Sequence, residues 1–311
     1  MWTFILPYKP PIGCKSMVVI STEITQEDVT VVLSALNEEE GIGNVLDQLR
    51  DCGYTNILVI DGYSRDSTVK IAESRGVKVV EQHWGGKTGA VKTALDYINT
   101  PYVAFLDADG TYPPDELYRL LAHAQKYVEV IGKRDRKNIG SVHRLGNLVI
   151  NKIFSLVFSA DVGDVLSGMY VLNTEVAKTL NLDSDGFEVE VEIASQMLQK
   201  GKVTYVPIRY DKRHGTGKLS SFKDGFKITS YILKMAKDHN PILFYSLIVT
   251  GFSVPGAGLL AYTLADYALR GVFHSGYALM GITLLLIGIQ GLMTMGISSL
   301  IKRLEYAVLR K

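Results

Sequence analysis

The stretch Tyr102-Val103-Ala104-Phe105-Leu106-Asp107-Ala108-Asp109-Gly110-Thr111-Tyr112 decides how the rest of the chain is read. Its apolar first half predicts a buried strand that ends in two carboxylates. Side chains two residues apart on a strand point to the same side, so Asp107 and Asp109 can converge on one hard cation at the strand's open end. A cation held there would sit naturally on a diphosphate. Taken alone, Asp-Ala-Asp-Gly is equally a turn signal after a strand, so the flanking sequence has to decide.

Toward the N-terminus, Val29–Ala35 is a β-branched run without charge. Asn37-Glu38-Glu39-Glu40 and an amphipathic stretch through Leu49 follow it, with Asn37 and Glu40 spaced as a capping box. Asn56–Ile60 is a second apolar run that ends in Asp61, ahead of the turn residues Gly62-Tyr63-Ser64-Arg65-Asp66-Ser67-Thr68. Val77–Val80 predicts a third strand and Lys87–Tyr97 a helix, and Pro113-Pro114-Asp115-Glu116 starts another helix after the central strand. This alternation predicts an α/β fold with a doubly wound, mostly parallel, Rossmann-like sheet, whose ligands bind beyond the carboxyl ends of the strands. Ala35-Leu36-Asn37-Glu38, Asp61, Gly86-Lys87 and Asp107-Ala108-Asp109 should therefore meet in one cleft.

Within that cleft Asp61 is placed to accept hydrogen bonds from a base or ribose; its structural alternative is a helix-capping acid. Lys87, set between Gly86 and Thr88-Gly89, can approach a phosphate because its small neighbours let the backbone come close. The segment lacks the spacing of a Walker loop, and the chain has no paired-glycine dinucleotide fingerprint.

Toward the C-terminus a strand is predicted at Tyr127–Ile131, then a basic cluster of Lys133, Arg134, Arg136 and Lys137, then the apolar stretch His143–Ala160. That stretch and the basic amphipathic segment Phe222–Lys237 read as helices lying at a membrane interface. Ile242–Leu264 and Tyr277–Ile301 contain no Lys, Arg, Asp or Glu. At about 1.5 Å per residue each is long enough to cross a hydrocarbon core of roughly 30 Å. Lys223, Lys227, Lys234 and Lys237 precede the first span and Lys302, Arg303, Arg310 and Lys311 follow the second, with only Arg270 between. The positive-inside rule then predicts a hairpin with both ends in the cytoplasm. The expected organisation is an N-terminal extension (1–28), a catalytic domain (29–220), a juxtamembrane amphipathic helix (221–240) and a two-helix transmembrane region (241–311).

Lys+Arg number 33 against 32 Asp+Glu, a balance that gives no sign of bulk nucleic-acid binding. Cys14 and Cys52 have no metal-ligand spacing and suit a reducing compartment. Met1–Pro11 lacks the basic start, apolar core and cleavage site of a signal peptide. The expected location is the cell membrane, or the endoplasmic reticulum membrane in a eukaryote, as a multi-pass protein with a cytoplasmic catalytic domain.

These motifs, taken in order, resemble those of family 2 glycosyltransferases, whose fold is the nucleotide-sugar-binding variant of the α/β sheet called GT-A. Val31–Glu39 is similar to the family's opening strand, Asp61-Gly62-Tyr63-Ser64-Arg65-Asp66 to its nucleoside-contacting loop, Gly86-Lys87-Thr88-Gly89-Ala90 to its glycine–lysine segment, and Asp107-Ala108-Asp109 to its metal motif. The further run Arg144-Leu145-Gly146-Asn147, Asp164-Val165-Leu166-Ser167-Gly168, Phe187-Glu188 and Gly217-Lys218-Leu219 resembles polyprenyl-phosphate sugar synthases of the dolichyl-phosphate mannose or glucose type. The resemblance spans roughly residues 29–230. The chain departs from the pattern at Ser34 and Leu36, where the family usually has Pro and Tyr, at Thr111, where many relatives have Gln, and at Met169-Tyr170 after the Ser-Gly pair.

The resemblance implies a membrane-bound, inverting hexosyl transfer from GDP-mannose or UDP-glucose to dolichyl or another polyprenyl phosphate, with Mg2+ or Mn2+ on Asp107 and Asp109. It implies a nucleotide-sugar site of Ala35, Asn37, Glu38, Asp61, Lys87, Asp107, Ala108 and Asp109. The acceptor phosphate would lie among Arg134, Arg144, Ser167, Arg213 and Lys218, with Asp109, Asp164 and Arg213 as the catalytic set. The lipid bilayer is an expected partner and a homo-oligomer is reasonable for a chain with few spans. The alternatives are a processive polysaccharide synthase, against which the missing Gln-x-x-Arg-Trp motif counts, and a non-catalytic membrane-anchored nucleotide-sugar-binding protein.

Overall fold

In a computed structural model that describes residues 24–184, 186, 188–212 and 221–309, the uncharged run after Asp28 forms the strand β1 (Val29–Ala35). The chain then alternates: α1 (Ile42–Asp51), β2 (Ile57–Asp61), α2 (Thr68–Ser74), β3 (Lys78–Glu81), α3 (Gly86–Tyr97) and β4 (Tyr102–Asp107). It continues through α4 (Leu117–Ala124), β5 (Glu129–Arg134), α5 (Ser141–Phe158), β6 (Tyr170–Asn173), α6 (Thr174–Ala177), α7 (Val189–Lys200) and β7 (Val203–Ile208). The helices α8 (Ser221–His239), α9 (Pro241–Arg270) and α10 (Ser275–Leu309) complete it.

Among the described residues seven strands form one sheet in the order β3-β2-β1-β4-β6-β5-β7. β6 alone pairs antiparallel with both its neighbours; the other pairings are parallel. Central strands are covered on both faces, which is why β1, β2 and β4 read as continuous apolar runs rather than alternating ones. The edges carry the polar and irregular residues: charged Lys78 and Glu81 on β3, and Pro207 on β7, where a missing N–H costs the ladder nothing. One face packs Val31, Leu33, Ala104, Leu106 and Val171 against Ile42, Leu46 and Leu49 of α1 and Leu117 and Leu120 of α4. Each of the fully buried Val, Leu and Ile side chains contributes about 1.5–3 kcal/mol.

The chain divides into two compact units, Met1–Ser155 with Ala160–Thr229 and Leu156–Ser159 with Ser230–Lys311. In the second unit α9 and α10 are each long and apolar enough to cross a membrane, and only 6% and 17% of their apolar windows are buried. A core helix of a soluble protein would be largely covered. The two helices approach closely at Gly256 and Gly281, where a Cβ on either residue would stand 2.9 Å from the other's carbonyl oxygen. The turn between them is closed by an Asp266–His274 contact of 2.8 Å and by Gly271, which takes the left-handed conformation at the end of α9.

Local expectations were altered in three places. The Asn37–Glu40 capping box does not form: α1 begins at Ile42 after Gly41, and Asn37 sits at φ 50° with its Oδ1 accepting from the Arg65 N–H at 2.8 Å. The helix predicted from Pro113 opens as a short 3-10 turn, Pro114–Glu116, before α4. The reversed strand β6 was not anticipated.

Candidate active site

Parallel strands deliver their following loops to one pole of the sheet, so the turns after β1, β2, β3 and β4 gather there. Because β6 runs the other way, the segment leading into it, Asp164–Met169, arrives at the same pole. β5 and β7 run parallel to β4 and also end at this pole, so the crevice is built from six strand ends and one strand beginning.

The first two loops are tied to each other. The Asn37 N–H donates to Ser64 Oγ at 2.8 Å, the Glu38 N–H to Thr68 Oγ1 at 2.8 Å, and the Ser67 N–H to Glu39 Oε2 at 2.9 Å. Asn37 and Tyr63 both have positive φ, the backbone strain that fixed binding loops carry. The Tyr63 hydroxyl donates to the Gln82 carbonyl at 2.8 Å, joining the β2 loop to that of β3. Asp61, 4% exposed, ends β2; its Oδ2 accepts from the Ser64 N–H at 2.9 Å, whereas its Oδ1 is buried with no hydrogen-bond partner. A buried carboxylate oxygen left in this state is set up to receive a donor from a ligand.

Ala35 ends β1 beside Asp61, its carbonyl accepting from the Gly62 N–H at 2.7 Å, and Asn37 and Glu38 follow in the loop bonded to Ser64 and Thr68. Gly41 admits the loop after β4: a Cβ there would meet the Ala108 carbonyl oxygen at 2.8 Å. Asp109 is 5% exposed and its Oδ1 accepts from both the Thr111 N–H (3.0 Å) and the Thr111 hydroxyl (2.6 Å). Thr111 thus orients the aspartate. Asp107 Oδ1 lies 2.8 Å from Lys87 Nζ, and Lys87 Nζ lies 2.5 Å from Glu190 Oε1. Burial alone would lower the Lys87 ammonium, but the Asp107 and Glu190 carboxylates more than reverse this and hold it well above its ordinary value. Gly168 approaches so closely that a Cβ would fall 2.2 Å from Asp107 Oδ2.

Two carboxylates of oxygen-donor type at a strand end, one already attracting an ammonium, fit a hard divalent cation. Among the described residues no group of three or more His, Cys, Asp or Glu side chains is arranged to hold a metal by itself. A cation on Asp107 and Asp109 therefore needs its remaining ligands from water or from a bound phosphate.

On the other side of the cleft Arg134, at the end of β5, forms a two-point ion pair with Asp164: Nε to Oδ2 at 2.6 Å and Nη2 to Oδ1 at 2.9 Å. Burial works against the guanidinium's charge, and the Asp164 carboxylate paired with it outweighs that, so Arg134 stays charged. Arg144 and Asn147 of α5 line a small cavity with Arg134 and Asp164. Ser167 is 1% exposed and its hydroxyl donates to the Gly132 carbonyl at 2.6 Å. Arg213 and Lys218 lie outside the described residues.

Three residues of the site were not singled out from the sequence. Tyr112 is buried, accepts the Gly168 N–H at 2.7 Å, and packs edge-on against Tyr210. Burial pushes its hydroxyl far above the ordinary value, so it stays neutral. Tyr210 in turn faces Arg134, whose guanidinium lies 5.5 Å from the ring centre. Glu190 reaches Lys87 from α7. The signal for Tyr112 was its place in the quoted stretch; for Glu190 it was an acid flanked by Val189 and Val191.

Comparison with known proteins agrees with this layout. Residues 30–178 match the glycosyl transferase family 2 model. Glycosyltransferase AglJ of Haloferax volcanii is 34% identical over 90% of this chain and 96% of its own length. The dolichyl-phosphate hexose transferase of the same organism is 32% identical over 69% of this chain and 96% of its own. Among solved structures, glucosyl-3-phosphoglycerate synthase from Mycobacterium tuberculosis, in complex with Mn2+, UDP and phosphoglyceric acid, has the same fold: TM-score 0.55, 20% identity, 68% of this chain and 78% of that one. With residues 30–178 matching the family model and a relative that matches nearly end to end, the chain belongs to glycosyl transferase family 2.

Proposed function

We propose that this glycosyltransferase moves one hexose from a nucleoside diphosphate sugar, GDP-mannose or UDP-glucose, to a polyprenyl phosphate such as dolichyl phosphate, with inversion at the anomeric carbon. The observation that carries the reading is the convergence at one pole of the unpartnered Asp61 oxygen with the Asp107 and Asp109 carboxylates. The first calls for an N–H or O–H of a nucleoside. The second calls for a cation on a diphosphate. The name of the dolichyl-phosphate hexose transferase relative supports the acceptor, and the Mn2+ and UDP in the structural neighbour's title support the cation and the donor class.

Asp109 and Asp107 would hold Mg2+ or Mn2+, which when bound stabilises charge on the departing nucleoside diphosphate. Asp61 orients the nucleoside, with Ala35, Asn37, Glu38 and Ala108 closing around it. Lys87 supplies positive charge beside the diphosphate. An acceptor phosphate oxygen is already ionised near neutral pH. It attacks the anomeric carbon, the bond from that carbon to the diphosphate oxygen breaks with its electron pair, and no proton needs to move. What the reaction requires is cations that bring two anions together: Arg134, Arg144, Arg213 and Lys218 take this part, with Asp164 fixing Arg134 through its two-point pairing. Ser167 holds the backbone turn that carries this side of the cleft.

The α9 and α10 helices span the membrane in this reading, and the lysines and arginines outside them keep both ends cytoplasmic. Such an anchor confines the enzyme to the surface where a polyprenyl phosphate resides. The test is to incubate detergent-solubilised full-length protein with Mn2+, polyprenyl phosphate and labelled GDP-mannose, UDP-glucose or UDP-N-acetylglucosamine in turn. Label extracted into organic solvent from one hexose donor, and lost with a chelator, is the expected result. Donor binding without lipid label would overturn the acceptor assignment.

A further inference from the structure

Lys87, the second residue of α3, is gripped by carboxylates from two separate elements. Asp107 Oδ1 at 2.8 Å belongs to the strand-end pair; Glu190 Oε1 at 2.5 Å belongs to α7. Glu190 is 6% exposed, and beneath the cluster Tyr170 is buried with a hydroxyl that has no hydrogen-bond partner. Two carboxylates on one ammonium leave an excess negative charge in a desolvated place. Charge balance alone would need only one of them, because a buried carboxylate beyond neutrality costs free energy. The second carboxylate therefore has to serve a state other than the one described.

That state is the donor complex of the proposed function, on which this inference rests. A cation bound to the strand-end pair draws Asp107 away from Lys87. Without another partner the ammonium would be left buried and unpaired, or would follow Asp107 and compete for it. We propose that Glu190 is the positioning residue that keeps Lys87 in place when Asp107 turns to the cation, so that the ammonium faces the diphosphate. Glu190 touches neither sugar nor metal; it acts through Lys87. Asp107 thus has two partners in alternation and Lys87 always retains one.

The experiment titrates detergent-solubilised full-length protein calorimetrically with UDP and with GDP, each with Mn2+, for the parent chain, E190Q, E190D, K87M and K87M/E190Q, after thermal unfolding of each. E190Q is isosteric and removes the excess buried charge, so its unfolding temperature is expected to hold. E190Q should weaken nucleotide binding by about tenfold to a hundredfold, the range seen when a supporting residue of a metal site is lost. E190D should recover part of that loss, and the double variant should bind no more weakly than K87M. Unchanged binding by E190Q, or losses that multiply in the double variant, would overturn the positioning role and leave the proposed function standing. A parent chain that binds neither UDP nor GDP would overturn both.

Discussion

A Cβ added to Gly89 would stand 1.9 Å from the Trp84 carbonyl oxygen, so the first turn of α3 lies against the backbone that leads into it. Nothing larger than glycine fits without moving the helix, and Lys87 is carried on that turn. Gly89→Ala is expected to lower the unfolding temperature through overpacking of about 1–3 kcal/mol. It should also weaken Mn2+-dependent nucleotide binding beyond what the stability loss explains, which titration of the folded fraction measures.

Gly168 bears the same relation to Asp107, with a Cβ 2.2 Å from Oδ2. A carboxylate can rotate where a carbonyl cannot, so Gly168→Ala should leave the unfolding temperature close to the parent's and displace Asp107. Loss of Mn2+ binding, read by the electron paramagnetic resonance of free Mn2+, is the expected outcome. Asp107→Asn and Asp109→Asn should each abolish transfer while the protein still partitions into membranes. Full activity in either variant would remove that residue from the metal assignment.

Glu129 gives a prediction in pH. It is 2% exposed on β5, one carboxylate oxygen has no partner, and burial pushes its carboxyl up to about 8. The folded state thus holds a proton that the unfolded chain releases near the ordinary carboxylate range. The stability this contributes is complete below that range and is lost as pH rises through about 8. Glu129→Gln should flatten the fall in unfolding temperature between about pH 4 and about pH 8.5, which bracket the unfolded and folded titrations. Its advantage over the parent should grow with pH to at most roughly 5 kcal/mol. Parallel pH profiles for the two proteins would refute the buried-acid assignment.

The sequence was most legible where periodicity and strand-end chemistry coincide. β1, β2 and β4 are covered on both faces, so their uncharged runs announce themselves, and Asp61, Asp107 and Asp109 follow directly from where those runs stop. β6 was hidden because it is four residues long and pairs with strands some forty and seventy positions away, a relation that no local pattern encodes. Glu190 was hidden for a related reason. The acidic run was read at helical spacing, which puts Glu188 and Glu192 on one face, where they meet Lys227 and the backbone N–H groups of Asp183 and Ser184. Glu190 points elsewhere, to a lysine a hundred residues earlier in the chain. Asn37 misled through its local rule: the capping motif was present, but bonding to the neighbouring loop prevailed.

The second unit, whose two apolar helices we propose span the membrane, carries a prediction of its own. Apolar helices gain no hydrophobic drive for pairing in lipid, so close backbone approach at small residues has to hold them. Gly256 meets Gly281, and a Cβ on Gly288 would fall 2.1 Å from Ser253 Oγ. Gly281→Leu should separate α9 from α10. A pair of spin labels at Leu260 and Ile282 should report a longer distance in the variant than in the parent hairpin.

The reversed strand β6 bears on how such enzymes diversify. The chain from Arg134 to Met169 is pinned in the sheet at both ends, by β5 and by β6, and Arg144, Asn147 and Asp164 from the segment between line a cavity with Arg134. The four parallel strands bearing Asp61 and Asp107 come earlier and do not depend on its length. Insertion, trimming or exchange of that segment between paralogues would leave the sheet registers intact. A lineage could thus alter the proposed acceptor side by exchange within that segment, with Gly168 retained because it abuts Asp107 on the proposed donor side.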